Sequence, residues 1–415
     1  MDRDCSFILN GMSEMTTVAE ATRIVLAHAR DFGMEHVAMS WALGRVLKES
    51  LIADRDFPPF DRVAMDGIAL RSADFAAGQR TFRLVGLQAA GQPRQQLEGE
   101  GTCIEVMTGA VLPQDADAVV RYEDVEIVDQ QACVQLDQIK PWQNVHRQGT
   151  DRRQGDVLVQ APRLITPAEV AVAATIGKAQ LPVANFPRVV IISTGDELVD
   201  VEAVPLPHQI RKSNVHALAS VLKQWGMQAA LLHLPDQRDE VRKYLDVAME
   251  RYDLIILSGA VSKGKFDYVP SVLELLGAQQ LFHRVTQRPG KPFWFGIGPH
   301  ETTIFALPGN PVSSFMCMHR YVLPWLRACW GLDPFSGERA MLAEDFTFKP
   351  DLTLFLPVKL TTNDGGQLCA YPRPGHGSGD LANLTDADAF LELPRGRQKF
   401  AAGEVFSLHR YRLMS

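Results

Sequence analysis

Between Pro187 and Leu276 the chain repeatedly couples a short apolar run to a helix-length segment. PRVVIISTGDEL precedes a helical pattern from Asn214 to Trp225, MQAALLHL precedes one from Asp239 to Glu250, and DLIILSG precedes one from Val269 to Leu276. Runs this short and this apolar suit strands buried on both faces. A helix between consecutive strands makes each link a crossover, and crossovers join parallel strands. The spacing therefore predicts a doubly wound parallel α/β sheet, closed by a helix over Val312 to Cys329. In such sheets ligands bind beyond the carboxyl ends of the strands.

The flanking segments read differently. At 415 residues the chain exceeds one ordinary core. Thr16 to Arg30 has helical apolar spacing, and a second helix is expected over Ser40 to Ser50. The double proline in DFPPFDR, Asp56 to Arg62, marks a boundary. From Thr81 to Val145 the runs are short and turn-bounded (FRLVGL, CIEVMTG, DAVVRYEDVEIV, ACVQLD), which predicts a β-rich insert. Thr166 to Ile176 is helical, with Pro167 early, where its missing N–H costs nothing. After Phe335 the chain returns to short strands, predicting a small β-barrel-like domain. The expected division is a discontinuous helical domain (7–53 and 152–185), an inserted β-rich domain (54–151), an α/β domain (186–334) and a terminal β domain (335–415).

Composition limits the function classes. The formal charge of −7 argues against a general nucleic-acid binder, whose footprint is basic. No apolar stretch is long enough for a membrane span. Cys5, Cys103, Cys133, Cys317, Cys329 and Cys369 are scattered and form no CxxC, so reduced thiols and a cytoplasmic location are expected. The eleven histidines show neither HxH nor HxxxH, and neither GxSxG nor a Walker loop occurs. Zinc hydrolases, nucleophile-elbow hydrolases and P-loop NTPases lose support together.

The chemistry concentrates where the strands end. Ser258-Gly259-Ala260-Val261-Ser262 follows a strand, and small residues let backbone N–H groups approach an anion. Thr194-Gly195-Asp196-Glu197 follows another strand and offers two carboxylates, which taken alone satisfy the turn's own N–H groups more readily than they mark a ligand site. Pro289-Gly290-Lys291-Pro292 and Leu307-Pro308-Gly309-Asn310-Pro311 are rigid turns flanking an expected hairpin. Lys263, Lys265, Arg284, Arg288 and Lys291 bring cations to the region, and Asp267 a carboxylate for a divalent metal. These residues point to a phosphorylated or anionic small molecule, bound with metal assistance. Asp66-Gly67 alone reads as a turn pair, and His146 to Arg153 as a basic, solvated link.

Taken in order, PPFDRVAMDGIAL, EVMTGAVLP, VHRQGTDRRQGDVL, VVIISTGDEL, QIRKSN, LSGAVSKGKFDY, RPGKPFWFG and LPGNPVSS resemble the molybdopterin molybdenumtransferase family, the MoeA-type proteins that include the gephyrin E domain. The resemblance implies a homodimer in which the α/β site faces the β-rich insert of the other copy. It implies a transferase that inserts molybdenum from molybdate into adenylated molybdopterin, with Mg²⁺ and release of AMP. Asp66 and Asp151 would come from the partner copy. Glu197, Asp236 and Asp267 would hold Mg²⁺, and Lys291, Arg284 and Arg288 would neutralise anions. Thr194, Gly195, Ser258, Gly259, Ser262, Pro308, Gly309, Asn310 and Ser378 would line the substrate site.

The chain also departs from the family's pattern. Ala260 stands where a second glycine is usual, Arg284 and Arg288 where lysines are common, and LFLPVKL around Phe355 lacks the expected basic segment. The implied partners are a molybdopterin adenylyltransferase and maturation factors of molybdenum enzymes, with no nucleic acid and no membrane. The same pocket would also serve a non-catalytic molybdopterin-binding or scaffold protein, or a metal-dependent hydrolase of another nucleotide pyrophosphate.

Overall fold

The computed structural model describes residues 15–259 and 268–412. It divides into two compact units. Of the described residues, one comprises 15–36, 44–46, 182–259 and 268–412. The other comprises Val37–Leu43 and Leu47–Leu181.

The second unit is built on a six-stranded sheet in the order 118–121, 67–70, 102–106, 81–88, 131–134, 125–128. Apolar side chains pack on both faces around the strand 67–70, which is buried throughout, whereas the strands 81–88 and 131–134 alternate buried with exposed or half-buried positions. Ile68, Leu70, Cys103, Ala118 and Val120 pack on one face with Phe75 and Phe82. Ala69, Ile104, Val106 and Val119 pack on the other with Val63, Leu97 and Leu112. Thr166 caps the helix Pro167–Thr175 in a capping box with Glu169, which satisfies donors at the helix start. The helix expected over Ser40 to Ser50 does not form. Met39–Trp41 is a single 3₁₀ turn, and Val46–Leu47 and Leu51–Ile52 are short strands. Gly44 lies between them at a φ of +77°, outside helical backbone, so the apolar spacing there is coincidental.

In the first unit the α/β sheet has the order 229–234, 189–194, 254–258, 303–307, 294–297, 279–283. The first four strands are mutually parallel. The hairpin expected between the two Pro-Gly turns is present, and Trp294–Ile297 pairs antiparallel with Thr303–Leu307. Gln279–His283 then pairs antiparallel with Trp294–Ile297 and so ends the sheet parallel to the first four strands. Val190, Ile192, Ile255, Leu257 and Ile304 bury one face against Val241, Leu245 and Met249 of the helix Arg238–Arg251 and Val272 and Leu273 of Val269–Leu275. On the aromatic side Phe305 packs against Phe293, Phe295 and Trp325. The closing helix runs as Pro311–Cys317 and Leu323–Cys329 with a π segment, Met318–Val322, between them. Pro324 has no N–H to donate into that stretch, and the helix widens just before it.

The terminal strands close into a barrel. Thr353–Thr362 pairs with Leu368–Pro372, and the ladder continues through 339–342, 405–410 and 389–393. Ala389–Leu393 then pairs back onto Thr353–Thr362, which leaves no open edge between them. A charge cluster ties this barrel to the π segment: Glu392 accepts from Arg320 Nε at 2.9 Å and meets His409 Nε2 at 2.8 Å. Burial works against the Glu392 charge, but the His409 hydrogen bond and the Arg320 cation outweigh it and lower its pKa to about 2. An unfolded glutamate titrates near about 4.3. The stabilisation is therefore fully present above that value and is lost as pH falls toward about 2. In urea unfolding at stepped pH, the gap between wild type and Glu392→Gln is expected to narrow across that window. A gap independent of pH would show that the ion pair contributes nothing.

Candidate functional site

In chain order the strand Val189–Thr194 comes first, Ala229–Leu234 is added on one side of it and Leu254–Ser258 on the other. The winding therefore reverses between Thr194 and Ser258, the point at which open α/β sheets place their ligand crevice. Gly259 enters that crevice with a φ of +102°, and a Cβ on it would lie 3.2 Å from the Thr194 carbonyl oxygen. A Cβ on Gly309 would lie 3.2 Å from the Gly259 α-carbon. The turns after three neighbouring strands are thus close backbone to backbone, and a side chain at either glycine would push a neighbouring turn aside by a few tenths of an ångström.

The remaining candidates sort along the same edge by sign. Glu197 follows Thr194, and Asp236 follows Leu234 on the neighbouring strand. Adjacent strands lie ~5 Å apart, so these carboxylates stand one and two strands from the Gly259 turn. The Glu197 carboxylate folds back over Gly195. The Asp236 N–H donates to Asp196 Oδ1 at 3.1 Å. Burial, and then the Asp196 and Glu197 charges, push the Asp236 carboxyl above the usual carboxylate range. On the other side of the crevice lie cations. The antiparallel ladder sets Trp294 opposite Ala306, so Lys291, just before that strand, emerges beside Pro308-Gly309. Arg284 follows His283 at the same end of the last strand, and its N–H donates to the Phe293 carbonyl at 2.9 Å. Lys291 is exposed and Arg284 partly buried. The edge reads carboxylates, small-residue turns, cations.

Arg288 goes elsewhere: its guanidinium lies over Phe348 of the barrel, 5.9 Å from the ring centroid. Ser378, far away in sequence, joins the turns. Asn310 Nδ2 donates to its hydroxyl at 2.8 Å, and Val312 N–H donates to its carbonyl at 3.1 Å. The barrel loop thus sits on the first turn of the helix Pro311–Cys317. Ser262 and Asp267 lie outside the described residues, as do Ala260, Lys263 and Lys265. Among the described residues no group of three or more His, Cys, Asp or Glu side chains is arranged to hold a metal.

Asn214 carried no role in the sequence reading. An asparagine opening a helix reads as a cap, but here its amide bonds to Ser258 Oγ at 3.0 Å and to the Gly309 carbonyl at 2.7 Å. No local pattern announces those contacts. The QIRKSN motif was the one signal that could have marked it.

The second unit carries Asp66 and Asp151 apart from one another. Asp66 is exposed, and its Oδ1 accepts from Thr108 N at 2.6 Å and from Thr108 Oγ1 at 2.7 Å. The backbone bond, then the hydroxyl bond, lower its pKa. Asp151 meets His146 Nε2 at 2.9 Å, and Arg62 donates to His146 Nδ1 at 3.1 Å. Arginine can only donate, so Nδ1 is the acceptor and Nε2–H is the donor to Asp151. The ladder sets His146 opposite Arg62, and beyond it Asp66 and Asp151 leave in opposite directions. What reads as a turn pair and a solvated link are two separately anchored carboxylates.

Residues 16–177 match the family described as the MoeA N-terminal region (domain I and II), residues 190–328 a probable molybdopterin binding domain, and residues 339–410 the MoeA C-terminal region (domain IV). A molybdopterin molybdenumtransferase of Synechocystis is 42% identical over 400 residues, covering 96% of this chain and all of its own. One from Staphylococcus aureus is 31% identical over 403 residues, 94% of each chain. The crystal structure of a molybdopterin biosynthesis MoeA protein from Pyrococcus horikoshii superposes with a TM-score of 0.82 at 27% identity, covering 96% of this chain and 100% of that one.

Proposed function

The chain belongs to the MoeA-type molybdopterin molybdenumtransferase family of molybdenum cofactor biosynthesis, and from that premise we propose that it inserts molybdenum from molybdate into adenylated molybdopterin and releases AMP in a Mg²⁺-dependent reaction. The observation that carries this reading is the order of chemistry along the sheet edge, from Asp236 and Glu197 through Gly259 and Gly309 to Lys291 and Arg284. A phosphoanhydride needs a close backbone approach in the middle, charge neutralisation on one flank and a cation site on the other.

In this mechanism the Gly259 and Gly309 turns admit the pyrophosphate to the backbone, and the Ser258 and Thr194 side chains border it. Lys291 and Arg284 neutralise the phosphate and molybdate oxygens as negative charge builds on the departing AMP. Glu197, Asp236 and Asp267 are the carboxylates that would hold a hard divalent cation; burial first, and then the Asp196 and Glu197 charges, raise the Asp236 pKa, and a cation beside it would favour its ionised form. Mg²⁺ held by these carboxylates would supply positive charge to offset that of the phosphate chain. Ser378 and Asn310 border the site on the barrel side. Asp66 and Asp151 of a second copy complete it, making the active form a homodimer. Arg288, turned toward Phe348, is assigned no part.

The test is AMP release from adenylated molybdopterin by purified protein with Mg²⁺, with and without molybdate. Molybdate-stimulated AMP release is expected. Tight binding without AMP would mean a carrier or scaffold instead. Cleavage of a pterin-free nucleotide pyrophosphate with no need for molybdate would mean a hydrolase.

A further inference from the structure

Asn214 begins the helix Asn214–Gln224, and the residue before it, Ser213, makes no side-chain capping bond. The helix start therefore goes without the side-chain cap an asparagine readily supplies one position earlier. The Asn214 amide is spent on tertiary contacts. Its nitrogen carries two hydrogens and has two acceptors, Ser258 Oγ at 3.0 Å and the Gly309 carbonyl at 2.7 Å. One side chain thus spans the turns after the third and fourth parallel strands, the two whose glycines touch.

The Asn214 nitrogen can only donate, so Ser258 is the acceptor in their bond. That leaves the Ser258 hydroxyl hydrogen to be given elsewhere. Ser258 is 2% exposed, and among the described residues its hydroxyl proton meets no acceptor.

We propose that Asn214 is a positioning residue for the anion site: it fixes the spacing of the Gly259 and Gly309 turns and aims the Ser258 hydroxyl at an incoming phosphate oxygen. The inference rests on the reading of this edge as a phosphoanhydride site. Asn214 itself touches no reacting atom. A phosphate or molybdate oxygen is the acceptor that completes the chain from Asn214 through Ser258.

The experiment measures inorganic pyrophosphate and AMP binding by calorimetry, together with melting temperature, for wild type, Asn214→Ala, Asn214→Asp, Ser258→Ala and Asn214→Ala/Ser258→Ala. Each single variant is expected to bind pyrophosphate about tenfold more weakly, the loss of one well-placed hydrogen bond. The double variant is expected to lose little more than the worse single, because the residues act in series. Asn214→Asp separates positioning from folding. A carboxylate at a helix start favours the helix but offers no donor to Ser258 or Gly309. Its affinity should fall at least as far as that of Asn214→Ala, and the melting temperatures show whether each variant is still folded when binding is measured. Pyrophosphate affinity unchanged in every variant, or losses that add in the double, would overturn the proposal. A wild type that binds no pyrophosphate would overturn the site reading with it, whereas a wild type that binds beside equally competent variants overturns this inference alone.

Discussion

Asp66→Asn is expected to abolish molybdate-stimulated AMP release, by on the order of 10²–10⁴-fold, while leaving the melting temperature unchanged. Asparagine keeps an oxygen where Oδ1 accepts the two Thr108 hydrogen bonds, so the loop is held as before. Only the charge goes. Those bonds keep the wild-type carboxyl ionised below the ordinary range, so it is an anion at any pH where the protein works. A mixing experiment then asks where Asp66 acts. In a twofold dimer with shared sites, an Asp66→Asn copy paired with a Lys291→Ala copy assembles one intact site from two defective chains. Random mixing of the two inactive proteins should return about a quarter of wild-type activity, since half the dimers are mixed and half their sites intact. No recovery on mixing would place Asp66 and Lys291 in the same copy's site, and full activity of Asp66→Asn alone would remove the residue from the mechanism.

Gly67→Ala is expected to cost about 3 kcal/mol or more and to unfold the unit that carries Asp66. The added Cβ would lie 1.9 Å from the Val120 carbonyl oxygen and 2.9 Å from the Arg121 α-carbon. Gly67 pairs with Arg121 on one side and Val106 on the other, so its strand has no free edge toward which to move. Thermal unfolding and limited proteolysis would show it as an early transition confined to residues 47–181. A melting curve superposable on wild type would mean the neighbouring strand yields more easily than a doubly paired ladder should.

These two neighbours show how unevenly a sequence reveals its reasons. Asp66-Gly67 reads as an ordinary turn pair, because a two-residue signal carries only local backbone preference. The glycine is required by a strand some fifty positions on, and the aspartate is oriented by Thr108. The Ser40–Ser50 segment fails the other way. Its apolar spacing suits a helix, but a single left-handed residue at Gly44 outweighs it.

The α/β sheet was legible because its information is local and repeated. An apolar run too short for a helix and too continuous for an exposed strand has few places to go, and each successive unit repeats the constraint. The turns ending those strands were legible for the same reason, since glycine and proline act on their own backbone. From sequence alone follow the doubly wound sheet, the terminal β domain and the edge at which a ligand is expected. The tertiary structure alone decided which strands became neighbours, and with them the sorting of Asp236, Gly259 and Lys291 along that edge. It alone brought Ser378 to Asn310, turned Arg288 away toward Phe348 and spent Asn214 on two turns at once. Strand order and long-range side-chain contacts depend on pairing energies between segments distant in the chain, and no window of sequence contains both partners.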